Sequence, residues 1–189
     1  MKKIMDSKFR PVNPSPAALI TSVDKDGKPN IIALAEVFNI SISQPVIAGI
    51  GIRPATYSHS LIQESGEFVI NLTTSELAEK VDACGSISGR AGHDKFKLFG
   101  LTQVAASFVK PPLIKECPVN LECKVVGINR IGDHDLILGE VVAVHADEDK
   151  LDANGGLDLE KLDLLVYMSG SYWSLGKKIG NHGFTNKKR

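Results

Sequence analysis

Apolar residues along this chain fall in short runs broken by turn residues, not in long helical stripes. Residues 17–24, Ala-Ala-Leu-Ile-Thr-Ser-Val-Asp, read as a strand. Asp24-Lys25-Asp26-Gly27 is a turn, and Asn30 to Phe38 is a second strand, so the two form a predicted hairpin. Val46 to Ile52 is a short buried strand in which Gly49 and Gly51 allow close approach to the backbone. A helix is predicted over Tyr57–Ser65, opened by Thr56 and stopped by Gly66. Phe68 to Leu72 is again a strand. Thr73-x-x-Glu76 has the form of a capping box before a helix to about Cys84, with Leu77, Val81 and Cys84 on one face. A loop of small residues runs from Cys84 to Gly92, and a short helix from Asp94 to Phe99 ends at Gly100. Val119–Ile128 and Leu136–Ala146 are β-branched runs forming a hairpin around Gly132-Asp133-His134. Residues 147–163 hold seven acids and read as a surface loop. Leu165 to Leu175 returns to strand-like sequence. Many short strands with few short helices make this a mainly β chain, a barrel or sandwich.

Composition narrows the function. At 189 residues the chain can build one real core but not two full domains. That counts against a two-domain nicotinamide dehydrogenase. Lys and Arg number 22 against 22 Asp and Glu, and aromatic residues make up 6%. Neither a basic face nor a base-stacking platform for nucleic acid is therefore expected. No apolar run approaches the ~20 residues that span a bilayer. Met1-Lys2-Lys3-Ile4-Met5-Asp6 lacks the apolar stretch of a secretory signal. Cys84, Cys117 and Cys123 form no Cys-x-x-Cys pair, which points to reduced thiols in the cytoplasm.

The common catalytic motifs are absent. Gly49-Ile-Gly51 begins like a dinucleotide fingerprint but has Pro54 where the third Gly belongs. Gly85-Ser-Ile-Ser-Gly89 has Ile87 at the centre of what would be a nucleophile elbow. No phosphate-loop, His-Glu-x-x-His or zinc pattern is present, so no metal is expected. What remains suits an anion. Arg53, Thr56 and Ser58 sit at a helix start, where unpaired N–H groups favour phosphate. Ser86, Ser88, Gly89, Arg90 and Lys95 form a second small, polar, basic cluster. Each cluster read alone fits an ordinary cap or surface loop more readily. His134 lies in a turn, where histidines are usually solvated, and Glu36 interrupts an apolar strand. Tyr167, Tyr172 and Trp173 are aromatic positions suited to core or interface.

A set of motifs in order carries a family resemblance. These are Asp-Gly-x-x-Asn30, Ser41-x-Ser-x-Pro45, Ile-Arg-Pro-x-Thr56, Glu-Ser-Gly-Glu-Phe-Val-Ile-Asn71, Cys84-Gly-x-x-Ser-Gly-Arg90 with Asp94-Lys-Phe96, and Gly-Asp-His134. From about Pro14 to Leu175 the chain resembles the flavin reductase-like family, the FMN-binding split barrels, and in particular the flavoredoxin branch. The expected organisation is an N-terminal arm over 1–13, a split-barrel domain over 14–175 and a basic tail over 176–189.

The resemblance implies a six-stranded split barrel that binds FMN as a homodimer, with the flavin near the subunit interface. It implies that Asn30, Glu36, Val37 and Phe38 face the ring and that Ser41 stands where relatives can place a cysteine. Arg53, Thr56 and Ser58 would meet the phosphate and ribityl chain, with Asn71 on a neighbouring wall. Ser86, Ser88, Gly89 and Lys95 would close over the phosphate, His134 would arrive from the distal hairpin, and Tyr167 or Tyr172 would pack on the flavin. No protein group is expected to be catalytic, since the flavin carries the chemistry. The implied activity is NADH- or NADPH-dependent reduction of the flavin, with electrons passed to free flavin or a redox partner protein. The alternative is a non-catalytic FMN electron carrier. Relatives often have Trp at the position of Glu36, and a carboxylate there would disfavour anionic reduced flavin.

Overall fold

The computed structural model describes residues 1–4 and 11–186. The expected N-terminal arm and basic tail therefore lie partly outside the described residues. A two-residue strand β1 (Ser15–Pro16) is followed by β2 (Ala18–Val23), β3 (Pro29–Leu34), β4 (Val37–Ser41) and β5 (Ile47–Ile52). Helix α1 (Tyr57–Ser65), β6 (Glu67–Leu72), α2 (Ala78–Ser86) and α3 (Lys95–Phe99) come next. The short strands β7 (Gln103–Val104) and β8 (Leu113–Ile114) pair with each other. The long hairpin β9 (Val119–Ile131) and β10 (His134–Ala146) precedes a terminal hairpin, β11 (Leu165–Met168) and β12 (Ser171–Ser174).

Seven strands form one antiparallel sheet in the order β3-β2-β6-β9-β10-β5-β4. Its two edge strands, β3 and β4, are consecutive in the chain and separated only by Ala35 and Glu36. The sheet must therefore curl until its edges meet at that corner. No ladder joins β3 to β4 among the described residues, so the barrel stays split along this seam.

Side-chain alternation sorts the apolar residues to two faces. Ala18, Ile20, Ile50, Ile52, Phe68, Ile70 and Ile137 fill the barrel, together with Ile62 of α1. Leu19 and Ile31 point the other way and pack against Leu77, Val81, Cys84 and Phe96 from the α2 and α3 region. The outer face of β2–β3 thus carries a second core, and a cleft opens at its margin. Across the barrel, the buried Glu122 carboxylate accepts from the backbone N–H groups of Ser107 (2.7 Å), Phe108 (2.6 Å) and Val109 (3.1 Å) and pairs with His145 at 2.6 Å. That pins the 103–114 segment over β6 and β9.

Helix α1 has the predicted bounds. Oγ1 of Thr56 accepts from the N–H of His59 at 3.3 Å, an N-cap that satisfies one donor of the first turn. Gly66 takes a left-handed φ of 70° while its N–H returns to the Ile62 carbonyl. Other expectations need correction. The predicted strand Asn30–Phe38 is broken at Ala35–Glu36, where the chain crosses between sheet edges. The predicted strand Leu165–Leu175 is a hairpin folded at Ser169-Gly170, with Gly170 at φ 94°. Thr73 caps no helix. Its hydroxyl donates to the Ala17 carbonyl at 2.7 Å, and the following 3-10 turn has Thr74 at its N-cap. The close approach expected at Gly49 and Gly51 comes from within the sheet. A Cβ at Gly49 would lie 2.5 Å from the Phe38 ring, and one at Gly51 would lie 2.9 Å from Cβ of Glu36.

Candidate functional site

The seam between β3 and the outer helices opens into a cleft made of two joined cavities. One, about 260 Å³, is walled by Ile32, Ala33 and Leu34 of β3, Val81 and Gly85 of α2, and both Tyr167 and Tyr172. Glu36, Arg53 and His134 stand at its rim. The other, about 300 Å³, lies between Asn30, the first turn of α1, the loop from Ser86 to Gly89, and Lys95. Ile32, Thr56 and Gly85 line both, so the cleft is continuous.

Local physics builds each wall. Asn30 Nδ2 donates to Ser58 Oγ at 2.7 Å, which fixes the start of α1 against β3. The N–H groups that open α1 lack helical acceptors and carry the positive end of its dipole. Opposite them, Ser88 caps the 3-10 turn Gly89–Ala91 through its hydroxyl. Gly89 must lack a side chain, because a Cβ there would overlap the Asn30 carboxamide and come within 3.0 Å of the Tyr57 ring. Lys95 is buried beneath. Its ammonium donates to the carbonyls of Ile31 (2.7 Å) and Cys84 (2.9 Å). An ammonium has three protons, so one is left toward the cleft. Burial lowers the Lys95 pKa, partly opposed by Cys84. Burial also pushes the Cys84 thiol up to about 11, against the pull of Lys95 and Lys80. It is therefore no thiolate nucleophile.

The rim is charged. Asp133 pairs with His134 Nδ1 at 2.8 Å and faces Arg53 Nη2 at 3.6 Å. The His134 hydrogen bond and charge, and then Arg53, hold the Asp133 carboxyl below its usual range. The Tyr167 and Tyr172 rings meet edge to face with centroids 5.4 Å apart. Burial, then the neighbouring Asp82, raises the Tyr172 hydroxyl to about 12, so it stays protonated. Among the described residues no three His, Cys, Asp or Glu side chains gather as metal ligands. No described helix is long and apolar enough to cross a membrane.

A family model described as a flavin reductase like domain matches residues 10–176. The chain belongs to the flavin reductase-like family. It is 44% identical over 121 residues to an uncharacterized protein of Archaeoglobus fulgidus, covering 64% of this chain and 67% of that one. Its fold superposes on flavoredoxin of Desulfovibrio vulgaris (Miyazaki F) with a TM-score of 0.87 and 30% identity, over 99% of this chain and 100% of that one. An NADH:riboflavin 5'-phosphate oxidoreductase of Streptomyces pristinaespiralis is 26% identical over 130 residues, 69% of this chain and 70% of its own. The split barrel expected from sequence is the fold observed, with seven strands in its main sheet rather than the expected six, because the chain breaks at Ala35–Glu36 into β3 and β4.

Within this flavin reductase-like fold, most of the expected site residues converge. Asn30, Glu36, Arg53, Thr56, Ser58, Ser86, Ser88, Gly89, Lys95, His134, Tyr167 and Tyr172 all line the cleft. Four do not. Val37 turns into the barrel beside Ile50. Phe38 lies on the outer face of β4 across Gly49. Ser41 ends that strand and donates to the Ser43 carbonyl at 3.1 Å. Asn71 is fully buried in the core, donating to the Leu19 carbonyl at 2.9 Å and accepting from Ile114 N–H (3.0 Å) and Asn120 Nδ2 (2.8 Å). It satisfies three separate chain segments and has no face left for a ligand. Sequence reasoning missed Val81 and Gly85 as cleft walls. No sequence signal marked them, because the approach of Gly85 to Ala33, where a Cβ on the glycine would lie 3.6 Å from that of Ala33, arises only in the fold.

Proposed function

We propose that this chain binds FMN in the continuous cleft and works as an NAD(P)H-dependent flavin oxidoreductase, passing electrons to free flavin or a partner protein. The observation that carries this reading is the continuity of two differently built cavities across Ile32, Thr56 and Gly85. One end offers helix-start N–H groups, serine hydroxyls and a lysine. The other combines a floor of small apolar residues and two tyrosines with Glu36, Arg53 and His134 at its rim. That pairing matches a flat ring joined to a phosphate. The relative active on riboflavin 5'-phosphate supports the choice of flavin.

When bound, FMN would supply the hydride and electron chemistry. The chain's own residues bind and orient it. Thr56 keeps α1 started at the cleft wall, Ser58 and Asn30 brace that wall, and Lys95 adds positive charge below it. Tyr167 and Tyr172 shield the apolar end from water. Arg53 and His134 present cationic and hydrogen-bonding groups at the rim, suited to an anionic nicotinamide donor.

Two further expectations belong to this reading. The edge strand β4 and the residue that follows it expose Phe38, Ile40 and Ile42 beside the cleft. A second copy would cover this apolar strip in a homodimer. The three buried free thiols suit the reducing cytoplasm. The deciding experiment is the visible spectrum after FMN reconstitution, followed by anaerobic NADH or NADPH. Bleaching of the flavin band supports the oxidoreductase. A yellow protein that stays oxidised identifies an electron carrier, and a protein that takes up no FMN overturns the reading.

A further inference from the structure

Behind the cleft lies a buried ionisable pair that the binding residues do not include. His59, on the inner side of the first turn of α1, and Asp135, the second residue of β10, approach at 2.8 Å between Nε2 and Oδ2. Both residues are buried. The second Asp135 oxygen, Oδ1, is buried with no hydrogen-bond partner among the described residues. Nε2–H of His59 is thus the one donor this carboxylate has there. Such a group is costly to bury unless its partner holds it firmly.

Its neighbours indicate what it positions. His59 follows Thr56 and Ser58 closely, and its own N–H is the one that Thr56 caps. Asp135 follows His134, whose side chain lies at the cleft rim. Strand alternation sends the Asp135 side chain to the opposite face. The polar wall and the hairpin wall are therefore joined by two side-chain links, beside the backbone ladder in which Asp135 of β10 pairs with Ile52 of β5. The inner link is the buried His59–Asp135 pair. The outer link is the Arg53–Asp133 contact, at 3.6 Å and open to solvent. An exposed pair of that kind is weak by comparison.

We propose that His59 and Asp135 are positioning residues that lock the N-terminus of α1 to the turn carrying His134, and so set the distance between the phosphate-facing and rim-facing walls. This rests on the flavin reading of the cleft only for what is bound there. The mechanical coupling stands on the geometry alone.

The test uses full-length protein with two substitutions. His59→Leu removes the donor, and Asp135→Asn keeps an oxygen that can accept from Nε2–H. Titrations with FMN and with riboflavin, which lacks the phosphate, separate positioning from general damage. The expected result for His59→Leu is a loss of about tenfold or more in FMN affinity with riboflavin affinity little changed. Asp135→Asn is expected to stay within about threefold of the parent for both ligands. Parallel loss of both flavins in His59→Leu overturns the positioning role. Hydrogen–deuterium exchange on the ligand-free protein gives a readout that needs no flavin. In His59→Leu, amides of both α1 and residues 130–137 should exchange faster. Faster exchange confined to α1 overturns the coupling, even if the parent binds no flavin and the functional reading itself has failed. Should His59→Leu not fold, His59→Phe, which keeps a planar ring but has no donor, carries the same comparisons.

Discussion

Gly89 and Asn30 occupy one space: a side chain on the first would overlap the carboxamide of the second. Asn30 in turn donates to Ser58 at 2.7 Å, so the glycine turn, strand β3 and the start of α1 form one contact chain. Gly89→Ala should push Asn30 aside and break its bond to Ser58 without touching the barrel core. FMN affinity is expected to fall about tenfold, roughly one hydrogen bond to a constrained group. Fluorescence titration checks this, and an unchanged binding curve would remove Gly89 from the site.

Lys95 tests whether the cleft floor is built or incidental. An ordinary surface lysine could be replaced at almost no cost. Here, Lys95→Met leaves the Ile31 and Cys84 carbonyls without their donor and removes the buried positive charge. Each stranded acceptor costs about 1–3 kcal/mol. For a chain of this size, about 2–4 °C of melting temperature goes with each kcal/mol. The expected outcome is a clear drop in Tm together with weaker FMN binding. Thermal melts with and without FMN measure both, and stabilisation by FMN should shrink.

How much of this was legible beforehand depends on the range of the interactions. Helix α1 could be read because Thr56 and Gly66 carry its start and stop locally. The corner at Ala35–Glu36 could not, since apolar residues flank the single Glu36 on both sides and only barrel closure forces the break. Ser169-Gly170 hid inside a strand-like stretch for the same reason. Asn71 looked like a site residue within its motif, yet its partners lie at Leu19, Ile114 and Asn120, distances along the chain that no local pattern encodes. The cleft residues were legible through family motifs. The resemblance implied that the two anion-friendly clusters close over one phosphate, but neither motifs nor spacing showed that the cavity they line continues past Thr56 into a second one. The His59–Asp135 pair was invisible, because its members are 76 positions apart.

Glu122 should govern acid stability. Burial alone would raise its carboxyl pKa, but the backbone N–H groups of Ser107 and Phe108 and the His145 side chain outweigh that and bring it below the ordinary glutamate value. A folded value below the unfolded one means that the carboxylate's stabilisation is fully present above the unfolded pKa. That contribution is lost as pH falls through the lower, folded value. Glu122→Gln should therefore be less stable than the parent at neutral pH. Its stability should change less as the medium is acidified through the unfolded carboxyl pKa of about 4.3 and below. Urea unfolding across that range is the measurement. Parallel curves for the two proteins would show that Glu122 does not carry the pH dependence.

Glu36 bears on the energy of the bound flavin. Its stem lies against Gly51, 2.9 Å from where a Cβ would sit, so the side chain is directed along the cleft rim by a position that only glycine leaves open. Reduction adds negative charge to the flavin ring, and a nearby carboxylate opposes that charge in proportion to its proximity and to the low local dielectric. Glu36→Gln keeps the shape and removes the charge. The bound FMN should therefore become easier to reduce, with a midpoint potential higher by roughly 30 mV for each ~1.4 kcal/mol of repulsion relieved in a two-electron couple. FMN affinity should change little in the oxidised state, where the ring is neutral. Potentiometric titration of the reconstituted protein reads the shift directly. A potential that does not move would mean that Glu36 is screened from the ring, and that the residue serves only to turn the chain from β3 to β4.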